Sequence, residues 1–386
     1  MRRALNLGFF VILAALVIAV GGHAPPAPPR FAPAEYRIIP HPEAAGGLRR
    51  AFLSPPGLTR RVHSGTLVET PDGGLLAAWF GGSREGAADV AIYGARRPAG
   101  AAAWSAPFVI TDRAASARDL GRHLRKLGNP VLARDRRGRI HLFYVQVSMG
   151  GWSTSRLAER LSSDGGRHWG PARGLVTSPF LNISTLVRTR PLALADGGLA
   201  LPVYHELAGK FGEWLRLDAD GRLLAKHRIG WGRRGIQPSL VARGPREVVA
   251  LLRRVGGAPP RVLRTRSTDG GRTWGPLEAT DLPNPDASVA ALGLPGGDLL
   301  LAYNHAEHGR ANLSLARSRD GLHWRRIAVL EDGAEPGDEF SYPYLIRDRR
   351  GRYQLIYTWR RRRMAWISFD DAWLARLPAR ATPWAP

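Results

Sequence analysis

The sequence lacks cysteine entirely and contains few lysines and few acidic residues. Without cysteine, disulfide bonds and thiolate metal sites are excluded. The 32 Asp and Glu residues stand against 56 Lys and Arg residues, which gives the 386-residue chain a formal net charge of +24. Its eleven histidines show no ligand spacing, and it has no P-loop or dinucleotide fingerprint. We therefore predict neither a metal nor a cofactor.

The positive charge comes almost entirely from arginine, because Lys126, Lys210 and Lys226 are the only lysines. A coding bias toward arginine is one explanation of this excess. The functional alternative is attraction to acidic substrates or surfaces, such as anionic glycans. The arginines are scattered, apart from the run Arg360 to Arg363, and no nucleic-acid motif accompanies them. Nucleic acid is therefore not predicted as a partner.

Long hydrophobic runs are also absent, with one exception at the N-terminus. Residues 5–20 are apolar and follow Arg2 and Arg3, the pattern of a signal peptide or a short membrane anchor. A proline follows the candidate cleavage site at residues 22–24, which favours an uncleaved anchor. We predict a targeting segment over residues 1–24 and a Pro/Ala-rich linker over residues 25–50. The remainder is expected to be exported to the periplasm, with the membrane contacted through the N-terminal segment only and no oligomeric state predicted.

One short motif of the form Ser-x-Asp-x-Gly-x-x-Trp is repeated along the chain. It occupies residues 162–169 and 267–274, and a version one residue shorter occupies residues 318–324. The aspartate can cap a tight turn, the glycine can take a positive φ, and the tryptophan can fold back over the turn. We call this the Asp-turn motif. Its repetition predicts an architecture of repeated structural units, and it is expected to be structural.

A second repeat consists of a polar turn followed by a strand of alternating apolar residues. It begins near residues 71, 135, 196, 244, 295 and 349, a spacing that fits one four-stranded antiparallel blade per unit. Apart from a short helix expected at Asp371 to Leu377, no stretch beyond the N-terminal segment has a helical apolar period. The sequence therefore predicts an all-β, six-bladed β-propeller over residues 51–375, after the N-terminal hydrophobic segment.

The two repeats together resemble those of the sialidase (neuraminidase) superfamily, in particular its bacterial branch of exported BNR-repeat proteins. The resemblance covers roughly residues 55 to 370. It implies a glycoside hydrolase of the exo-α-sialidase type acting on a terminal carboxylate-bearing sugar such as sialic acid. Members of this family hold the sugar carboxylate with three arginines and use a tyrosine nucleophile.

The family's third and second arginines have counterparts in this chain. Arg310 lies in an Arg-x-Asn-Leu segment just before the last Asp-turn motif, and Arg253 ends the strand that follows Gln237-Pro238-Ser239. At the first arginine position the chain has His63 instead. A histidine can donate to a carboxylate or act as an acid or base. Arg61 or Arg37 could supply the missing guanidinium.

The family's tyrosine nucleophile matches Tyr342, within residues 340–345. A phenol needs a neighbouring base to react near neutral pH, and in the family that base is a glutamate. Here the corresponding residue is Gln237, which cannot take a proton. Glu206 or Glu339 could act in its place.

The remaining site predictions concern an acid and several polar contacts. Glu85, in the glycine-rich loop 81–90, lies near the position of the family's acid/base carboxylate, whereas Asp89 is expected to stabilise the turn. Asn129, His205 and Asn304 lie at the ends of predicted strands and are predicted to contact sugar hydroxyl groups.

Two departures from the family pattern, His63 and Gln237, leave further functions open. A hydrolase or lyase acting on uronic acids fits the same scaffold, as does a propeller that binds glycans without cleaving them. A third possibility is an envelope scaffold protein, in which Arg253 and Arg310 would point to solvent. The predicted partner throughout is an acidic glycan or sialoside.

Overall fold

The computed structural model describes residues 27–32, 47–179 and 181–377. The predicted targeting segment, residues 1–24, lies outside the described residues. Six antiparallel sheets form the blades of a β-propeller, as the two sequence repeats predict. Within the described ranges, no helix combines the length and the apolar character needed to cross a bilayer.

The strands are numbered along the chain, beginning with β1 (Arg49–Phe52). Blade 1 contains β2 (Arg61–Glu69), β3 (Leu75–Gly82), β4 (Ala91–Arg97) and β5 (Phe108–Asp112). Blade 2 contains β6 (Lys126–Arg134), β7 (Ile140–Val147), β8 (Arg156–Ser162) and β9 (Arg173–Leu175). Blade 3 contains β10 (Leu186–Val187), β11 (Leu192–Ala193), β12 (Leu199–His205), β13 (Phe211–Leu217) and β14 (Leu223–Ile229).

The second half of the chain forms the other three blades. Blade 4 contains β15 (Gly235–Ala242), β16 (Val248–Arg254), β17 (Arg261–Ser267) and β18 (Glu278–Pro283). Blade 5 contains β19 (Ala290–Gly293), β20 (Leu299–Tyr303), β21 (Asn312–Ser318) and β22 (Arg325–Asp332). Blade 6 contains β23 (Phe340–Arg347), β24 (Tyr353–Trp359) and β25 (Arg363–Phe369), and β1 pairs with β25 as its outermost strand. The chain thus closes the ring by adding its first strand to the last blade.

The first strand of each blade lines the centre of the propeller. These strands are almost fully buried, and those of neighbouring blades contact one another. In blade 3 the first strand is divided into β10 and β11, which pair with opposite ends of β12. Apolar side chains fill the space between blades, with Trp79 and Trp214 among the largest fully buried residues.

The turns of both repeats lie at the same end of the blades. The six predicted turn-strand units join the first and second strands of the six blades, and the three Asp-turn motifs join the third and fourth strands of blades 2, 4 and 5. Because successive strands are antiparallel, the first strands begin at the opposite end, which we call the site face. The end that carries the turns is called the Asp-turn face.

The predicted linker is partly built into the folded body. Phe31 is only 2% exposed, and its amide donates to the carbonyl of Pro245 at 2.8 Å. The carbonyl of Ala27 accepts from Arg216 Nη1 at 2.7 Å. Residues 27–32 therefore pack against blades 3 and 4 instead of forming a free linker, because the buried phenyl ring holds them there.

Within the described residues, two short α-helices and one 3₁₀ turn accompany the strands. They are α1 (Arg113–Leu120), the 3₁₀ turn Trp152–Thr154 and α2 (Asp371–Ala375). Helix α2 confirms the short terminal helix predicted from the sequence. Helix α1 was not predicted; its N-terminus is capped by the Asp112 carboxylate, which accepts from the amide of Ala115 at 2.7 Å.

Candidate active site

Each blade places one non-glycine residue with a left-handed backbone among the first four residues of its first strand or among the four residues before it. The φ angles of these residues lie between 46° and 60°. Such values are uncommon for non-glycine residues and are concentrated at functional sites. We call these residues the inner ring: Ser64, Asn129, Ser184, Gln237, Asp286 and Tyr342. In four of the blades the pairing register shifts at this position, so a bulge redirects the side chains near the channel.

Tyr342 lies at the centre of a group of guanidinium groups. Arg253 donates from Nη1 to the Tyr342 hydroxyl at 3.2 Å, and the Arg310 guanidinium lies 5.7 Å from the centre of the Tyr342 ring. The imidazole of His63 contacts the same ring edge to face, with ring centres 4.3 Å apart. The structure therefore brings together four residues that the sequence separates by up to 279 positions.

Asp286 holds both of these arginines in place. Its carboxylate accepts from Arg253 Nε at 2.6 Å, and its backbone carbonyl accepts from Arg310 Nη2 at 2.6 Å. Burial alone would lower the pKa of Arg253, but Tyr342 and Asp286 outweigh it and raise this pKa further above its ordinary value. Arg253 is therefore a fixed, permanently charged donor in the channel.

Arg361 adds a third guanidinium to the site. It lies in the turn between β24 and β25 and donates from Nε to Glu339 at 2.6 Å, while its Nη1 is 3.3 Å from the carboxylate of Glu85. Glu339 also accepts from Ser341 Oγ at 2.5 Å and lies 3.5 Å from Arg310. Burial would raise the pKa of Glu339, but the hydrogen bonds from Arg361 and Ser341 outweigh it and lower that pKa. Glu339 is therefore held as an anion between two arginines.

Arg188 crosses beneath the site from the gap between β10 and β11. It is 1% exposed and lies 5.0 Å from the centre of the Tyr342 ring. Its guanidinium donates to the backbone carbonyls of Gly65, Tyr342 and Pro343. Burial lowers the pKa of Arg188 to about 10. This arginine ties blade 3 to blades 1 and 6 below Tyr342.

His63 is neutral in this environment. It is 4% exposed, and its Nδ1 is buried with no hydrogen-bond partner among the described residues. Burial, followed by the charges of Arg361, Arg310, Arg188 and Arg253, holds the pKa of His63 well below its ordinary value of 6.5. A neutral imidazole can accept a proton.

His63 also lies at the wall of an open cavity of about 450 Å³ on the site face. Phe80, Glu85 and Arg361 line the same cavity, with the exposed Arg61 at its rim. This volume falls within the range of pockets that bind small molecules. Three arginines, including Arg84, line the cavity, whereas only one of its lining residues is a carboxylate. The cavity is therefore suited to an anionic ligand.

The position of the family's glutamate is occupied by an amide network. Gln237 Nε2 and Asn129 Nδ2 lie 3.3 and 3.4 Å from the hydroxyl of Tyr204, which is buried. Burial and then the charge of Glu206 raise the pKa of Tyr204, so this phenol stays protonated. Glu206 is half-buried, and its backbone amide donates to Ser184 Oγ. Within the described part of the chain, no carboxylate is hydrogen-bonded to the Tyr342 hydroxyl.

The loop after β3 places its two carboxylates in different surroundings. Asp89 accepts from the amide and the hydroxyl of Ser83 at 2.8 and 2.9 Å, so it stabilises the turn. Glu85 is exposed and reaches Arg361 at the edge of the cavity. Glu85 is therefore an acidic side chain that reaches both solvent and the cavity.

Two predicted sugar contacts are engaged in the fold. Asn304 is fully buried, and its amide donates to the backbone carbonyls of Asn312 and Phe340. His205 stacks on Phe211, and its Nε2 accepts from the amide of Ala208 at 2.9 Å. Both side chains thus hold the loops of blades 3 and 5, and their contact with a sugar stays a prediction.

Sequence reasoning missed three residues of the site: Arg188, Asp286 and Arg361. Arg361 belongs to the run Arg360 to Arg363, which stands out in the sequence only as an exception to the scattered distribution of the arginines. Asp286 follows an Asn-Pro pair, and three inner-ring residues directly precede a proline. Of the two substitutes considered for the first arginine, Arg61 lies at the cavity rim, and Arg37 lies outside the described residues.

Comparisons with known proteins agree with this architecture. A family model described as a BNR repeat-like domain matches residues 73–355. No curated protein matches the sequence at a significant level. Among solved structures, the chain is similar to the Hadza microbial sialidase Hz136, with a TM-score of 0.69 and 17% identity over 83% of this chain and 68% of that one.

Two further structures are similar along nearly their whole length. The intramolecular trans-sialidase from Ruminococcus gnavus has a TM-score of 0.66 and 14% identity, with 83% of this chain and 96% of that chain covered. A protein of unknown function from Dyadobacter fermentans has a TM-score of 0.66 and 15% identity, with 83% and 98% covered. At such low identities the likeness establishes the fold.

Proposed function

Because the chain belongs to the BNR repeat-like family and has a sialidase-like fold, we propose that it is a glycoside hydrolase of the sialidase type. Its substrate would be a terminal sugar that carries a carboxylate, such as sialic acid. The observation that carries this proposal is the group formed by Arg253, Arg310 and Arg361 around one tyrosine at the channel mouth. Guanidinium groups match carboxylates in shape and charge.

Substrate binding would begin with an exchange of carboxylates. Arg361 Nη1 lies 3.3 Å from Glu85, so an incoming sugar carboxylate can take the place of Glu85 at this guanidinium. Arg253 and Arg310, already fixed by Asp286, would complete the contact. The exchange would leave Glu85 unpaired at the cavity edge, where it can donate a proton to the leaving glycosidic oxygen.

Tyr342 would attack the anomeric carbon of the bound sugar. The bond from the sugar to the leaving oxygen breaks, the phenolic oxygen forms a new bond, and the phenol proton must pass to a base. His63 is the base that we propose, because it is neutral, in contact with the Tyr342 ring, and has an unpartnered Nδ1. Arg253, which donates to the Tyr342 hydroxyl, would stabilise the developing phenolate.

A second function is favoured by one specific observation. The Tyr342 hydroxyl accepts from Arg253 and has no carboxylate partner among the described residues, while Gln237 occupies the place of the family's glutamate. A protein that binds acidic glycans without cleaving them would show this geometry. A hydrolase or lyase acting on a uronic acid would use the same arginines.

The hydrolysis of fluorogenic sialosides and glucuronides tests the proposal. The parent protein is expected to release the fluorophore from a sialoside, and Tyr342→Phe is expected to lose about a thousandfold in kcat. Tyr303→Phe is the matched control, because its hydroxyl is buried in blade 5 without a hydrogen-bond partner in the described chain. Turnover of the glucuronide but not of the sialoside would mean that the substrate sugar is a uronic acid instead of sialic acid. Folded protein that binds acidic sugars but turns over neither substrate would favour the binding function.

A further inference from the structure

The site face carries an unusual concentration of exposed apolar side chains. Met149 is 78% exposed, Trp231 75% and Leu181 70%, with Val176 at 67% and Leu207 at 49%. Met149 lies between β7 and β8, and Leu207 lies between β12 and β13. The other three lie in the connections that lead from one blade to the next. Four of them are therefore at the site-face ends of blades 2 and 3, whereas Trp231 follows the outermost strand of blade 3 and lies beside Pro276, just before β18. We call the five residues the apolar tips.

The remaining exposed large apolar residues lie elsewhere on the propeller. Phe52, Val109, Leu224 and Val329 are all on the outermost strands of their blades. Among the described residues, none of this class lies in the turns of the Asp-turn face. The apolar tips are thus confined to one sector, the ends of blades 2 and 3 and the connection to blade 4, which scattered surface residues would not be.

The local sequence keeps these side chains away from the core. Met149 precedes Gly150 and Gly151, and Trp231 lies between Gly230 and Gly232, both of which have positive φ. Trp231 forms a backbone bridge to Pro276, so its loop is anchored while its indole remains in water. A fixed loop that exposes a tryptophan presents that side chain to a partner.

Positive charge surrounds the apolar tips. Seven cations lie in the same loops or in the connection that leads into blade 2, an eighth begins β6, and none of them forms an ion pair within the described part of the chain: Arg113, Arg118, Arg122, Arg125, Lys126, Lys210, Arg233 and Arg234. The carboxylates in these segments are Glu206, which is half-buried, and Asp119, which is bonded to Arg160. The sector therefore combines apolar tips with a net positive charge.

We propose that this sector docks onto an anionic lipid bilayer. Methionine, leucine and tryptophan side chains at loop tips enter the interface between headgroups and acyl chains, and basic residues beside them attract anionic headgroups. A second copy of the chain fits less well, because two molecules of net charge +24 repel each other at this basic face. The channel mouth would then open toward the membrane.

The absence of cysteine allows a direct test in the full chain. Met149→Cys is labelled with a fluorophore that reports the polarity around it, and Val329→Cys on the outermost strand of blade 5 is the matched control. With vesicles of phosphatidylcholine and phosphatidylglycerol, the label at position 149 is expected to shift to the blue and to be shielded from acrylamide. The label at position 329 is expected to remain quenched.

A second variant separates docking from tethering. If the apolar N-terminal run holds the chain at the vesicle, that alone leaves both labels in water, so the comparison between positions remains valid. When Leu207→Ser and Trp231→Ser are added to Met149→Cys, the lipid concentration that produces half of the blue shift is expected to rise about tenfold. Circular dichroism checks that this variant is folded.

Four results would overturn the proposal. They are a label at position 149 that stays quenched with anionic vesicles, an equal response at position 329, and an equal response to pure phosphatidylcholine vesicles. The fourth is a blue shift that grows with protein concentration in the absence of lipid, which would assign the sector to self-association.

Discussion

At the scale of single residues, the main feature of the site is that four buried or half-buried guanidinium groups remain charged. Arg253 and Arg310 are held by Asp286, Arg361 by Glu339, and Arg188 by backbone carbonyls. Buried charges are tolerated only when they are paired or hydrogen-bonded in this way. Burial, and then the charges of these arginines, lower the pKa of His63, so that it stays neutral beside them.

The protonation of His63 gives a prediction at this scale. The folded protein keeps His63 neutral, whereas the unfolded chain binds a proton to it below its ordinary pKa of 6.5. Unfolding therefore takes up a proton, and the stability of the parent falls as the pH is lowered from 6.5 toward the depressed pKa. We expect His63→Gln to reduce this loss.

Denaturant titrations of both proteins at several pH values provide the measurement. As the pH falls, the free energy of unfolding of the parent should decrease relative to that of His63→Gln. The exposed His123→Gln is the control and should follow the parent. A constant difference between parent and His63→Gln across this range would contradict the assigned protonation state.

The residues of the site were predictable only where a local motif marked them. Tyr342, Arg253 and Arg310 lie in short segments with a recognisable pattern. Arg188 occupies an interruption of a strand, and Arg361 lies in a hairpin turn that reaches the channel only after blade 6 closes on blade 1. Their placement depends on contacts between distant blades, which no short segment encodes.

At the scale of the element, the Asp-turn motif stabilises the end opposite the site. Asp269 accepts from the amides of Arg272 and Thr273 at 3.0 Å, and Trp274 Nε1 donates to the carbonyl of Gly271 at 2.9 Å. Burial would raise the pKa of Asp269, but hydrogen bonds from Thr273 and Ser267 lower it to about 2. The motif thus folds its own loop without contributing to the channel.

Replacing this aspartate should destabilise the protein without changing ligand binding. We expect Asp269→Ala to cost about 1–2 kcal/mol of unfolding free energy at neutral pH, since several hydrogen bonds to a partly exposed carboxylate are lost. The effect should diminish as the pH falls through the ordinary value of 3.8 toward about 2. Thermal unfolding measures both, with the exposed Asp332→Ala as the control. Equal destabilisation by the two variants would refute this role.

The elements themselves were largely encoded in local sequence. All six predicted turn-strand units correspond to the first hairpins of the six blades, because each turn carries its own glycine or proline and each following strand alternates or runs apolar. Helix α1 escaped prediction because it has little apolar periodicity, with only Ser116 buried. Strand β1 escaped because its four residues acquire a partner only at the other end of the chain.

At the scale of the whole molecule, ring closure depends on that short strand. Phe52 of β1 packs edge to face on Trp359 with ring centres 5.3 Å apart, and the Arg363 guanidinium lies 3.6 Å from the centre of the Phe52 ring. The amide of Leu53 donates to the carbonyl of Met364 at 2.9 Å. Blade 6 thereby joins the two ends of the described propeller.

Removing the Phe52 ring should therefore weaken closure. We expect Phe52→Ala to lower the free energy of unfolding by about 1–2 kcal/mol, through the loss of an aromatic pair and a cation–π contact. Val109→Ala, at a similarly exposed site on the outermost strand of blade 1, should change it by less than about 0.5 kcal/mol. Denaturant unfolding distinguishes the two. A Phe52→Ala variant as stable as Val109→Ala would show that β1 does not secure the ring.

If the channel mouth recognises a sugar carboxylate, calorimetry with the acid and the ester of one sugar should show it. The α-methyl glycoside of sialic acid is titrated into the parent and into Arg310→Gln, beside the methyl ester of the same sugar. The acid is expected to bind the parent at least about tenfold more tightly than the ester, and Arg310→Gln should bring the two ligands close together. Equal binding of acid and ester by the parent, or an acid affinity unchanged in Arg310→Gln, would contradict the assignment of this site.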